Sequence, residues 1–201
     1  RRRGPPRPRA VLVRVHLGVE PGGVAVLLGL LDDALLGLRA LVGGQDLAGV
    51  LYGAVAPSFK HGSLRGRVQT QDYLAVEGNN LIMPSIGLDA DGRGYLAFTL
   101  VGPDHFPTAA VAKVSLDRPA SSVRVVQAGA GPQDGFSGYW IGGPRPRWGD
   151  YSYTAVDELG NVWAGVEYVA QTCSFSAWIG GDLTCGGTRG AFANFATRVM
   201  E

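Results

Sequence analysis

Alternating apolar and polar residues recur in short runs through the second half of the chain, and turn-forming residues separate these runs. Two stretches, 85–98 and 153–166, share one pattern that predicts a strand, a four-residue turn and a second strand. Asp89 aligns with Asp157, which follows it by 68 residues, and a glycine stands three residues after each aspartate. We predict that each aspartate caps its turn through its side chain and that each glycine supplies a positive φ.

More strand-like runs follow both hairpins. The runs at 108–116 and 123–129 complete a predicted four-stranded antiparallel meander, and the run at 191–200 follows the second hairpin. Recurring meanders are the unit of a β-propeller, because one meander cannot cover both of its faces alone. At one unit per 68 residues, the 201 residues hold about three units, fewer than the roughly four that a closed ring needs.

We therefore predict an all-β fold in which residues 71–201 form about two C-terminal blades of a partial β-propeller. The alternative is a β-sandwich that contains two similar hairpins. Residues 11–70 do not continue the pattern, and the leucine spacing within 24–42 is closer to the helical period than to alternation. We expect this segment to be irregular or partly helical, or to lack a fold of its own. The Arg-rich residues 1–10 predict a disordered basic tail.

Composition supports a turn-rich β protein and excludes some partners. Glycine accounts for 31 of 201 residues without a collagen period, as short strands joined by tight turns require. The net charge of +1 gives no electrostatic footprint for nucleic acid, so we predict no such partner. The longest apolar run carries Asp32, Asp33 and Arg39, which are costly in hydrocarbon, so we predict no membrane insertion.

The two cysteines predict a disulfide. Cys173 and Cys185 lie in a glycine-rich stretch that we expect to be a loop, and an even pair closing a short loop favours a disulfide. Such closure is worth roughly 3 kcal/mol in the chain-entropy account and indicates an oxidising compartment. We therefore expect a secreted or periplasmic protein; two free thiols in a cytosolic protein are the alternative.

From about Gly78 onward, the chain resembles a group of bacterial secreted proteins with a sialidase-like, six-bladed β-propeller. The resemblance covers roughly the last 120 residues and implies that they form closing blades of the ring. The segments that carry it are AVEGNNLIMPSIGLDADGRGYLAFTLVGPDHFPTAA, GAGPQDGFSGY, RPRWGDYSYTAVDELGNVWAGVEY and CGGTRGAFANFATRV.

The resemblance leaves two functions open, because fold analogy alone does not establish activity. One is a secreted module that binds a ligand such as a glycan or cell-envelope material, or acts as a scaffold. The other is a sialidase-like glycoside hydrolase, which would need an arginine triad, a Tyr nucleophile paired with Glu, and an acid/base Asp. The Asp-box motif of true sialidases places Gly two residues after Asp, whereas Gly160 stands three residues after Asp157.

The enzyme hypothesis depends most on Glu167, in the return strand of the second hairpin. The 68-residue offset pairs it with Thr99, so a carboxylate in one hairpin replaces a neutral residue in the other. A glutamate beside Arg147, Arg189 or Arg198 can hold a ligand or activate a nucleophile. A Glu–Arg pair that only balances charge between blades is the alternative.

The remaining candidates lie close to Glu167 in sequence or in nearby loops. Tyr168 follows it directly, and Asp150 stands in the RWGDYS string; these complete the predicted catalytic set, although Asp150 also suits hydrogen bonding to an adjacent loop. Arginine suits carboxylate recognition, and aromatic-rich loops suit sugar or peptide contact as well as plain packing. The predicted ligand-binding residues are Arg145, Arg147, Arg198, Trp140 and His105. We predict no metal and no cofactor; Ca²⁺ is the alternative, because oxygen-rich loops suit it, although no EF-hand spacing is present.

Overall fold

In the part of the chain that the structure describes, three antiparallel sheets and one short helix are present, which confirms the all-β prediction. The computed structural model describes residues 18–19, 25–32, 47–137, 149, 152–189 and 193–201. Within these residues the sheets form an open stack, not a closed ring. The elements are β1 Gly18–Val19, β2 Ala25–Asp32, β3 Ala48–Lys60, β4 Ser63–Leu74, β5 Asn80–Leu88, β6 Arg93–Val101, β7 Thr108–Ser115, β8 Arg124–Gln127, β9 Tyr153–Val156, β10 Val162–Val169, α1 Phe175–Gly180 and β11 Phe195–Met200.

Strands β5, β6, β7 and β8 pair in chain order and form the central sheet, which is the predicted four-stranded meander. Strands β1 to β4 form the N-terminal sheet, also in chain order. Strands β9, β10 and β11 form the C-terminal sheet, in which β10 lies between the other two. The residues described in the C-terminal sheet therefore give three strands where the central sheet has four.

The central sheet is buried on both faces. Successive side chains of β6 point to opposite faces, and Leu96, Phe98 and Leu100 on one face are as buried as Ala97 and Thr99 on the other. A strand covered on both faces reads as a continuous apolar run and loses the polar alternation of a half-exposed strand. The central sheet must therefore be covered by two other layers.

The two flanking sheets supply those layers. Val50 and Tyr52 of the N-terminal sheet join the cluster that contains Phe98. Ala164 and Val166 of the C-terminal sheet join the cluster on the opposite face of the central sheet, which includes Ala97, Ala109 and Val111. The order of layers is thus N-terminal sheet, central sheet and C-terminal sheet.

Polar contacts fix the C-terminal sheet on the central one. The hydroxyl of Thr99 is fully buried and donates to the backbone oxygen of Glu167, 68 residues away, at 2.8 Å. Ser85 Oγ lies 3.0 Å from Thr154 Oγ1 across the same interface. A Cβ on Gly87 would lie 2.9 Å from the Cβ of Thr154, so the glycine allows the two backbones to approach closely.

Tyr52 makes the corresponding polar link between the N-terminal and central sheets. Its hydroxyl donates to Asp72 Oδ2 at 2.9 Å and accepts from the backbone N–H of Ala120 at 2.7 Å. Burial of the phenol, opposed by the Ala120 hydrogen bond and supported by the negative charge of Asp72, raises the pKa of Tyr52 to about 12. The hydroxyl is therefore neutral over the physiological range and stays a hydrogen-bond donor.

The two aspartate hairpins have the same internal hydrogen bonds. Oδ1 of Asp89 accepts from the backbone N–H groups two and four residues later, at 2.9 and 2.8 Å. Oδ1 of Asp157 does the same, with the same two distances. Gly92 and Gly160 have φ of 73° and 87°. The predicted capping role and the predicted positive φ are confirmed in both turns.

The helical expectation for the N-terminal segment is wrong where the structure describes it. Residues 25–32 form strand β2, which pairs with β3 along its whole length. Leucine spacing cannot separate a helix from a strand with apolar residues on both faces, and Gly29 disfavours the helix. Residues 48–74 form β3 and β4, so the boundary predicted at 70/71 falls inside β4. Residues 1–10 and 33–42 lie outside the described residues.

The cysteine segment was expected to be a loop without an element of its own, and this is also wrong. Residues Phe175–Gly180 form the short helix α1. The hydroxyl of Ser174 accepts from Ala177 N at 3.2 Å and so caps the first turn. A serine at the N-cap is a local helix-start signal, and it was present in the sequence.

The second hairpin carries an additional hydrogen bond that predicts its acid sensitivity. The indole N–H of Trp163 donates to Asp157 Oδ2 at 2.9 Å. This bond, followed by those from Asn161, lowers the pKa of Asp157 to about 2. The stabilisation from Asp157 is therefore complete above its ordinary pKa of about 3.9 and is lost as the pH falls through the lowered value.

We predict that the NMR signal of the Trp163 indole N–H titrates with a midpoint near pH 2, because it reports the ionisation of Asp157. The Trp163→Phe variant removes the principal donor and should raise the pKa of Asp157, followed through the Asp157 carboxyl carbon. A midpoint near pH 4 in the unmodified protein would contradict the hydrogen bond.

Candidate functional site

The loops of the molecule gather at two opposite ends of the sheets. In the antiparallel sheets, the turns that follow Asp89 and Asp157 lie at one end. The connection from β6 to β7, the segment after β8 and the connection from β10 to β11 leave from the other end. We call that second end the loop face and define it by residues 102–107, 128–137 and 170–189.

Hydrogen bonds join the three segments of the loop face to one another and to β10. The backbone N–H of Val169 donates to Pro107 O at 3.0 Å, and Ala130 N–H donates to Val169 O at 2.8 Å. The side-chain amide of Asn194, a buried residue, donates to Pro132 O at 3.0 Å. The end of β10 therefore holds two loops in fixed positions.

A buried ion pair connects the middle segment of the loop face, residues 128–137, to the cysteine segment, residues 170–189. Arg189 Nη2 lies 3.0 Å from Asp134 Oδ2, and only 2% of either side chain is exposed. Arg189 Nε also donates to Gln171 Oε1 at 2.8 Å. A pair buried this deeply resists disruption, because removal of one partner leaves the other charge in a dry site.

The backbone around Asp134 completes this network. The carboxylate accepts from the N–H groups of Phe136 and Ser137 at 3.1 and 3.0 Å, and from the Ser137 hydroxyl at 2.7 Å. Burial alone would raise the pKa of Asp134, but these hydrogen bonds and Arg189 outweigh it and hold the pKa below its ordinary value. The carboxylate is therefore charged at neutral pH and organises the loop around itself.

The predicted disulfide is confirmed and lies beside this ion pair. Cys173 and Cys185 are bonded, with their Cα atoms 6.1 Å apart, and Arg189 Nη2 is 3.6 Å from Cys173 Sγ. Helix α1 lies between the two cysteines in sequence, and two of its aromatic residues pack against Phe136 of the middle segment. The rings of Phe175 and Trp178 each lie 5.4 Å from the ring of Phe136, measured between centroids.

The loop face exposes apolar side chains on this fixed framework. Phe106 and Phe175 are each 52% exposed, and Ile179 on α1 is 60% exposed. His105, a predicted ligand-binding residue, is half-buried beside Phe106 and exchanges backbone hydrogen bonds with Gly102 at 2.9 and 3.3 Å. The arrangement offers exposed aromatic surfaces beside polar groups, which suits a binding site.

The predicted residues on β10 and β11 do not converge in this way. Glu167 lies opposite Thr197, whereas Arg198 lies opposite Val166. Because neighbouring residues of a strand point to opposite faces, Glu167 and Arg198 lie on opposite faces of the C-terminal sheet. Tyr168 is half-buried and packs into the layer between the central and C-terminal sheets. Their assignment to catalysis or binding stays a prediction.

Glu167 is directed toward the chain that precedes β9. A Cβ on Gly149 would lie 3.6 Å from Glu167 Oε2 and equally far from Met83 Cγ of the central sheet. Gly149 is buried and has a φ of 67°, which a residue with a side chain adopts only with strain. The glutamate thus lies near the interface of two sheets.

Four of the predicted site residues lie outside the described part of the chain. They are Asp150 of the predicted catalytic set and Arg145, Arg147 and Trp140 of the predicted ligand-binding set. Their roles remain predictions. Arg189, considered in the sequence as a partner for Glu167, pairs instead with Asp134, 55 residues away, and no local pattern signals such a contact.

Neither a cluster of metal ligands nor a membrane-spanning helix occurs in the described residues. No group of three or more His, Cys, Asp or Glu side chains in that part of the chain could hold a metal ion. Across the same residues, no helix is long and apolar enough to cross a membrane.

Comparison with known proteins provides no assignment: no family model, no curated protein and no solved structure matches this chain. The resemblance to sialidase-like propellers therefore stays a prediction from sequence segments.

We predict that Arg189→Met lowers the free energy of unfolding by about 3–5 kcal/mol, because it leaves the Asp134 carboxylate buried without its cation. The matched control is Arg118→Met, whose pair with Asp117 is exposed on both sides and should contribute nothing measurable. Chemical denaturation of both variants and the parent at pH 7 measures the difference, and equal effects from the two substitutions would contradict the buried pair.

We also predict that the destabilisation caused by Arg189→Met depends on pH, which the same denaturation experiment repeated in acid measures. Since the pKa of Asp134 is lowered in the folded state, its contribution is complete above about pH 4 and is lost as the pH falls further. The destabilisation caused by Arg189→Met should therefore shrink in acid, as the orphaned carboxyl becomes neutral.

Proposed function

We propose that this protein is a secreted binding module of the β-propeller type and that it binds a glycan on its loop face. The single observation that carries the proposal is that a buried ion pair and a disulfide cross-link the loops that bear the aromatic residues. The Arg189–Asp134 pair and the disulfide hold the loops that bear Phe136 and Phe175. Aromatic side chains fixed before binding lose little conformational entropy when a ligand arrives.

The chemistry of the surface favours a sugar ligand. Phe106 and Phe175 present flat apolar surface, and polar groups lie near both: Asp104 and His105 beside the first, Ser174 and Ser176 beside the second. A carbohydrate has apolar C–H faces and a rim of hydroxyl groups, so it needs both kinds of contact. Sites with apolar walls and a few oriented polar groups are typical of small-molecule binding.

The extracytoplasmic location rests on the disulfide. Such bonds persist in oxidising compartments and are rare in reducing ones. The propeller assignment rests on the stacking order of the three sheets and on the shared hydrogen bonds of the Asp89 and Asp157 hairpins. Further sheets that continue the stack would be needed to form a ring.

The binding proposal predicts that the protein retains immobilised glycans and that the loop face determines the affinity. We expect Phe106→Ala and Phe175→Ala each to weaken binding at least about tenfold, the loss of roughly 1.4 kcal/mol that one stacked ring accounts for. The measurement is a glycan array that includes sialylated oligosaccharides and peptidoglycan fragments, followed by calorimetric titration of the strongest ligand.

The matched control is Leu159→Ala. Leu159 is 87% exposed on the Asp157 hairpin, at the opposite end of the sheet from the loop face. Its loss should leave the affinity unchanged. Binding that is equally weakened by all three substitutions, or absent from the array, would reject the proposal.

A hydrolysis assay tests the enzyme hypothesis. A sialidase-like hydrolase would release a fluorogenic aglycone from a sialoside, and Glu167→Gln would abolish release while the protein stayed folded. Turnover of that kind would replace the binding proposal with hydrolysis. The Glu167→Gln variant separates the two hypotheses, because Glu167 belongs to β10 and not to the residues that define the loop face.

A further inference from the structure

Strands β3 and β4 extend beyond the rest of the N-terminal sheet. Strand β2 pairs with β3 only as far as Val55, so residues 56–60 of β3 have β4 as their one partner strand in the described part of the chain. Between 58 and 69, every residue whose side chain the structure describes is exposed. We call this two-stranded segment, residues 56–68, the ribbon.

The turn at the tip gives the ribbon a defined shape. Lys60 pairs with Ser63, and His61 and Gly62 between them have φ of 53° and 77°. Two positive φ values in a two-residue loop are typical of a type I′ turn, whose twist matches that of the paired strands. The turn therefore keeps the two strands of the ribbon in one register.

The ribbon lies away from the loop face. The backbone N–H of Ala48, at the start of β3, donates to Asn80 Oδ1, at the start of β5, and β5 runs from there toward the Asp89 turn. Further along β3, the hydroxyl of Tyr52 contacts Ala120 in the connection from β7 to β8. Strand β3 therefore runs away from the loop face, and the ribbon continues in that direction.

The ribbon is basic and contains no acidic residue. From Val55 to Gln71 the sequence has Lys60, Arg65 and Arg67 but no Asp or Glu. Arg65 and Arg67 are both exposed, and the ion pairs found among the described residues involve other arginines. The charges of these two arginines are therefore not neutralised within the described part of the chain.

The two arginines share one face of the ribbon. They are two residues apart on β4, and side chains of a strand alternate between its faces, so they lie on the same face about 7 Å apart along the strand. Ser58 lies opposite Arg65, and Ala56 lies opposite Arg67. Because both of these side chains are short, they leave the guanidinium groups uncovered. A guanidinium binds a carboxylate or a similar oxyanion through two parallel hydrogen bonds.

We propose that the ribbon binds an acidic polysaccharide, a linear polymer with carboxylate or sulfate groups, through Arg65 and Arg67. A polymer with repeated anions engages both arginines, and the second contact forms at a high effective concentration once the first is made. A nucleic acid also has repeated anions. The chain's net charge of +1, however, lacks the strong positive field of nucleic-acid-binding proteins, and the disulfide favours an extracytoplasmic partner.

Titration with three polyanions tests the proposal. They are heparin, which is sulfated, polygalacturonate, which carries only carboxylates, and duplex DNA. The Arg65→Gln/Arg67→Gln variant removes both charges from the ribbon. The Arg118→Gln/Arg124→Gln variant is the matched control, because it removes two exposed arginines that lie outside the ribbon. Circular dichroism establishes that both variants are folded.

The parent and the control variant should bind both polysaccharides at low ionic strength, and should lose affinity as salt is added, because the contacts are exposed. The Arg65→Gln/Arg67→Gln variant should bind each at least about tenfold more weakly, since a hydrogen-bonded contact to a charged group contributes a factor of that size. The loop-face ligand is titrated against different variants, so this proposal and the one for the loop face can fail separately.

Three results would overturn the proposal. Equal affinities of the ribbon variant and the control variant would show that overall charge, and not the ribbon, attracts the polymer. Tighter binding of duplex DNA than of either polysaccharide would identify a nucleic acid as the partner. A parent chain that binds none of the polyanions would leave the arginines only the role of keeping the edge of β4 from pairing with another sheet, and aggregation of the ribbon variant would then report that role.

Discussion

Burial of the central sheet on both faces is the constraint on which the rest of the structure depends. Strand β6 directs Phe98 to one cluster and Ala97 to the other, and both residues are fully buried. A sheet with two apolar faces is stable only between two other layers. The buried hydroxyl of Thr99 finds its partner on the neighbouring sheet, and that of Tyr52 finds one in its own sheet and one in the loop between β7 and β8, so both hydroxyls are satisfied.

This layering also determines where chemistry can occur. Because the faces of the central sheet are occupied by its neighbours, ligand contacts fall to the ends of the strands and to the outer faces of the stack. At one end, the Asp89 and Asp157 turns are closed by their own hydrogen bonds. At the other end, longer segments are held by Asp134, Arg189 and the disulfide, and they expose aromatic rings. The buried ion pair and the disulfide thus lie in the same loops as exposed aromatic residues.

Local signals in the sequence were sufficient to predict some features of the structure but not others. The turns at Asp89 and Asp157 were predictable, because the capping aspartate and the glycine act within five residues. The Cys173–Cys185 bond was predictable from count and spacing. Strand β2 was mistaken for a helix, since the spacing of its leucines shows no alternation and fits the helical period as well. The pairing of Arg189 with Asp134 could not be predicted, because the two residues are 55 positions apart and only the tertiary arrangement of the loops brings them together.

The most direct test of this account is to measure which sheet each face of β6 contacts. Nuclear Overhauser effects in a methyl- and ring-labelled sample report such contacts between side chains. The layered arrangement predicts signals from the Phe98 ring to the Val50 methyl groups, and from the Ala97 methyl group to Val166. Signals from both residues to the same sheet, or a solvent-exposed face on the central sheet, would contradict it.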